Sequence, residues 1–106
     1  MFEKLNKSIK TIKDGIDLKE MDFVKLNKFI GQSISVDGFF FTNGKYGKQV
    51  VVVGNGCKVN MPQRAVEQFE MIQDDREMLD AVLAGHLKIT DIYEKSNTTG
   101  YTLADC

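Results

Sequence analysis

Residues 33–53 leave this chain few folding choices. Ser33-Ile34-Ser35-Val36-Asp37-Gly38-Phe39-Phe40-Phe41-Thr42 alternates apolar and polar residues, then ends in three phenylalanines. Asn43-Gly44-Lys45-Tyr46-Gly47 follows, with asparagine and glycine placed where a tight turn needs positive φ. Lys48 to Val53 contains four consecutive valines, whose β-branched side chains favour a strand over a helix. The reading is strand, turn, strand. Successive strand side chains point to opposite faces. With Ile34, Val36 and Phe40 inward, Phe39 and Phe41 face water beside the lysines of the turn. A bulge at Gly38 would reverse this, burying Phe39 and Phe41 and exposing Phe40.

The remaining residues extend the pattern. Gly54-Asn55-Gly56 makes a second tight hairpin, and Cys57 to Met61 alternates with Cys57, Val59 and Met61 on one face. Pro62 ends that strand and suits the first turn of a helix, whose inner face is Ala65, Val66, Phe69 and Ile72. Asp74 to Glu77 offers a capping box before Met78, Leu79, Val82 and Leu83, and Gly85 stops the helical run. Leu87 to Lys95 returns to strand, Ser96 to Gly100 is a polar loop, and Tyr101 to Ala104 makes a last strand.

Upstream, Phe2, Leu5, Ile9, Ile12 and Ile16 recur at helical spacing, with Lys4, Lys7, Lys10 and Lys13 between them. Residues 1–20 are therefore expected to form an amphipathic helical extension that packs on the domain or on a neighbouring subunit. Residues 21–106 form the domain proper. The order β-β-β-α-β-β predicts a mainly β fold with α, an OB-like five-stranded barrel. That fold binds oligonucleotides or oligosaccharides between its first and last hairpin loops, here residues 43–47 and 96–100.

Charge is divided along the chain. Residues 1–63 carry ten lysines against six acids (+4), and residues 64–106 four basic residues against nine acids (−5). The basic half permits a local positive field despite a net charge of −1. Flat aromatics flanked by cations suit single-stranded nucleic acid. Phe39, Phe41 and Tyr46 are the expected stacking platforms. Lys45, Lys48 and Lys58 are expected on phosphates, with Lys88 and Lys95 at the rim.

Other chemistries find little support. His86 is the sole histidine and has no partners at ligand spacing, and Asp74, Asp75 and Asp80 read as capping plus a solvated face. Gly54-Asn55-Gly56 lacks the strand-to-helix setting of a phosphate loop. No nucleophile–base arrangement stands out, so an enzyme is not expected, nor a cofactor or metal. Cys57 reads as core and Cys106 as an exposed thiol. Without an export signal or a disulfide framework the expected compartment is a bacterial cytoplasm. No apolar run reaches the roughly 18–20 residues of a membrane helix.

Several stretches together resemble the small phage- and prophage-encoded single-stranded-DNA-binding proteins of Gram-positive bacteria. They are Ile34-Ser35-Val36-Asp37-Gly38-Phe39-Phe40-Phe41, Gly44-Lys45-Tyr46-Gly47, Val59-Asn60-Met61-Pro62 and Ala84-Gly85-His86-Leu87-Lys88-Ile89. The resemblance spans about residues 23–105. It implies an OB-like fold, homo-oligomerisation and sequence-independent single-stranded DNA binding in phage replication or recombination. Two features depart from the family. Its members usually end in an acidic, partner-recruiting tail where this sequence reads Thr102-Leu103-Ala104-Asp105-Cys106, and the lysine-striped start lies outside a minimal OB domain. The rival expectation is a protein-interaction module, a phage adaptor or host-protein inhibitor, using the same aromatics as hot spots.

Overall fold

A computed structural model describes residues 11–13, 15–44 and 47–106. The strands are β1 (Phe23–Lys25), β2 (Ile34–Gly44), β3 (Gly47–Gly54), β4 (Cys57–Asn60), β5 (Leu87–Lys95) and β6 (Thr98–Asp105). Helices α1 (Ala65–Asp74) and α2 (Arg76–Leu83) lie between β4 and β5. The strands form one sheet in the order β1-β4-β3-β2-β5-β6. β1 runs parallel to β4, and every other pair is antiparallel. The sheet curls into a half-barrel with both helices against its inner face. The expected five strands are six, because Phe23-Val24-Lys25 adds an edge strand, and the helical run breaks in two at Asp75.

Local chemistry accounts for these boundaries. Asn55 and Gly56 both take positive φ (51° and 77°), the turn whose twist matches paired strands. Ser96 and Asn97 do the same between β5 and β6 (51° and 64°), so the polar loop expected there is a two-residue turn and β6 starts at Thr98. Asp75, not Asp74, caps α2, accepting from the Glu77 and Met78 amides. At the other end Gly85 (φ 86°) donates to the Val82 carbonyl and His86 to that of Ala81, the paired bonds of a Schellman stop.

The core lies between the sheet and the helices. Ile34, Val36, Phe39, Val50, Val52 and Val59 from the sheet meet Ala65, Phe69, Leu79 and Val82 from the helices. The Phe39 ring sits 5.0 Å from that of Phe69. Of the apolar residues after the cap, Leu79 and Val82 are buried and Met78 is exposed. Cys57 is half-buried against the core, as the alternation implied. No described helix is long and apolar enough to cross a membrane.

Gly38 decides how the phenylalanines face. β2 and β3 shift register between Val36 and Gly38, leaving Asp37 as the extra residue of a bulge. Beyond it Phe39 stands opposite Val52 with no exposed surface, and Phe41 opposite Val50 packs against the core. The bulge has a visible cause. Thr11–Lys13 is extended over this point, with Lys13 N–H donating to the Asp37 carbonyl (2.8 Å) and Phe39 N–H to that of Thr11 (2.9 Å). A Cβ on Gly38 would stand 2.5 Å from the Ile12 Cα, so only glycine fits. The expected helix therefore does not extend through Thr11–Lys13. Phe2, Leu5 and Ile9 lie outside the described residues.

Candidate nucleic-acid interface

Register across the sheet sorts the outward side chains into rows. Gly38 pairs with Val53, Val53 with Lys58 and Lys58 with Phe23. In the next row Phe40 pairs with Val51, Val51 with Asn60 and Asn60 with Lys25. The β2–β3 end of these rows is covered, since Val51 and Val53 are buried and Phe40 is half-buried. The β4–β1 end is open. Phe23 is 58% exposed, and Lys25 and Asn60 are exposed beside it.

Phe23 and Lys58 form the centre of that open end. The Lys58 ammonium lies 4.2 Å from the Phe23 ring centroid, a cation–π pair that holds both side chains over the sheet. Sequence explains the placement. Phe23 and Lys25 alternate around inward Val24, and Lys58 and Asn60 alternate around inward Val59. The parallel pairing puts the two outward sets side by side.

The surface continues into a groove of about 330 Å³ with mixed polar and apolar walls, where the curl of the sheet brings β1 near the β5–β6 turn. Lys25, Asn27, Asn60, Arg64, Asn97 and Thr99 contribute to its walls. Asn27 donates to the Glu94 carboxylate (3.1 Å), tying the segment after β1 to β5. The Arg64 guanidinium donates to the Thr99 carbonyl and lies 5.2 Å from the Tyr101 ring centroid. Tyr101 in turn donates to Gln68, and burial pushes its phenol above the usual 10.0, with Arg64 opposing. These contacts set Arg64 at the groove with further guanidinium N–H groups for an acceptor.

The residues expected from the sequence divide. Lys58 belongs to this surface. Phe39 does not, because the bulge turns it into the core, where it offers no face for stacking. Phe41 is half-buried on the same inner side, edge-on to Phe39 at 5.9 Å. Lys48 lies over Phe41 at 4.4 Å and reaches the Glu70 carboxylate at 3.4 Å, so it links β3 to α1. Lys88 is half-buried on β5 opposite Ser35, and Lys95 is exposed near the β5–β6 turn. Lys45 and Tyr46 lie outside the described residues. Phe23, Lys25 and Arg64 were not expected; the alternation at 23–25 was the faint signal for the first two. A second exposed aromatic, Tyr93 on β5, lies across Gly100 with its ring where a Cβ would stand.

Comparisons with protein-family models, with curated proteins and with solved structures return no match for this chain.

Proposed function

We propose that this chain binds single-stranded DNA without sequence preference, on the surface made by β1, β4, Arg64 and the β5–β6 turn. One observation carries the reading: an exposed aromatic, Phe23, held beside Lys58 and flanked by Lys25 and Asn60 on an open sheet face. A base stacks on any flat ring, while the lysines and Arg64 meet phosphates, so the preference is for strand and not for sequence. The groove along Asn27, Asn60 and Thr99 offers amide and hydroxyl partners for sugars and base edges. In this reading the half-barrel is OB-like, with β1 as an added edge strand. A role in phage replication or recombination rests on the sequence resemblance.

The test is fluorescence anisotropy of a labelled oligo-dT titrated at two salt concentrations, with duplex of equal length as comparator. With Lys25, Lys58 and Arg64 on phosphates, the logarithm of affinity should fall with the logarithm of salt at a slope of about −2. Duplex should bind far more weakly. No binding at low salt, or equal binding of duplex, refutes the proposal.

A further inference from the structure

A second groove, of about 430 Å³, opens on the helix side between α1, α2 and the β5–β6 pair. Its floor is apolar: Met71, Ile72, Met78, Val82, Leu87 and Leu103. Met71 is 67% exposed and Met78 49%, two flexible side chains that mould readily to a partner. The rim is acidic. Glu67 and Asp74 stand one turn either side of Met71, Glu77 adjoins Met78, and Asp105 lines the β6 wall; all four are exposed. Arg76 is paired with Asp80 at 3.2 Å, and His86 lines the groove.

An apolar floor with an acidic rim selects an amphipathic segment whose apolar stripe is bordered by cations. The sequence itself contains such a segment. Phe2, Leu5 and Ile9 recur at helical spacing, and Lys4, Lys7 and Lys10 lie among them. The next stripe residue, Ile12, is already engaged at Gly38. That anchor lies on the outer face of the sheet, away from the groove, which favours delivery of the segment to another molecule.

We propose that the groove receives residues 1–10 of a second copy of this chain, so that two molecules exchange these segments. Such an exchange is self-complementary and closes at two copies. It stands apart from the nucleic-acid surface and survives if that reading fails.

Sedimentation equilibrium of full-length variants tests it. Wild type should sediment as a dimer. Met71→Glu with Met78→Glu blocks the groove, and Leu5→Glu with Ile9→Glu spoils the segment; each variant alone should be monomeric. Mixing the two should restore a dimer, because the intact segment of the first meets the intact groove of the second. Should the methionine variant fail to fold, Glu67→Lys with Glu77→Lys, both at exposed positions, replaces it. A monomeric wild type, variants that still assemble, or a mixture that stays monomeric would each overturn the proposal.

Discussion

Phe23 and Lys58 stand directly opposite each other on parallel strands, with the ammonium 4.2 Å from the ring centroid. Neither residue belongs to the core cluster, so both can be changed without opening the interior. Phe23→Ala should weaken oligo-dT binding by about 1–3 kcal/mol, the range of one base–aromatic stack. Lys58→Ala should weaken it too and make the salt slope shallower by about 0.7. Circular dichroism checks that both variants keep the wild-type fold. Unchanged anisotropy curves would remove β1 from the interface.

Phe39 and Phe40 should separate fold from function in the opposite way. Phe39 is fully enclosed against Phe69 and Val52. Phe39→Ala should cost about 3–5 kcal/mol of stability, the usual range for a buried phenylalanine. Phe40→Ala, at a half-buried site, should cost clearly less. Urea melts of the two variants measure the difference, and equal midpoints would contradict the bulge.

Gly38→Ala probes the contact behind that bulge. The added methyl meets the Ile12 Cα at 2.5 Å and the Thr11 carbonyl oxygen at 2.7 Å, both backbone atoms with little room to yield. Relief requires Thr11–Lys13 to lift off β2. The expected loss is about 1–3 kcal/mol, as for overpacking elsewhere, together with faster amide exchange at Phe39 and Lys13. Thermal melts and hydrogen exchange give the two readouts.

The cysteines should react at different rates. Burial, and secondarily the Asp22 carboxylate, push the Cys57 thiol above its ordinary 9.0, whereas Cys106 is exposed. Iodoacetamide at mildly alkaline pH should label Cys106 first and Cys57 slowly. The same shift has a consequence for stability. The fold favours the neutral thiol, so its contribution is complete below pH 9 and is lost as pH rises through the higher folded value. A Cys57→Ser variant should lack that alkaline loss.

What the sequence disclosed, and what it withheld, follows the range of the interactions involved. Ala65, Val66, Phe69 and Ile72 are all buried as their helical spacing requires, and Asn55-Gly56 and Gly85 punctuate the chain where their backbone freedom predicts. These are local signals. The facing of Phe39 hinges on Thr11 and Ile12, remote in sequence, and a bulge leaves no mark except a glycine that has many other uses. Met78 falls within the same helical run yet is exposed, lining an open groove beside Leu87 and Leu103. Of the candidate site, Lys58 was legible from alternation alone. Phe23 was not, since three residues carry too little periodicity to reveal a parallel partner so far along the chain.

The parallel pairing of β1 with β4 bears on the order in which the molecule assembles. The β2–β3–β4 and β5–β6 hairpins join neighbours in sequence and can zip early, whereas β1 must wait for β4 and then bridge a long intervening chain. By the same argument the seam that carries Phe23 and Lys58 closes after the hairpins, as does the β2–β5 pairing, whose partners lie farther apart still. If single-stranded DNA lies across that seam as proposed, the strand would act as a clasp, holding β1 to β4 while leaving the hairpins beneath untouched.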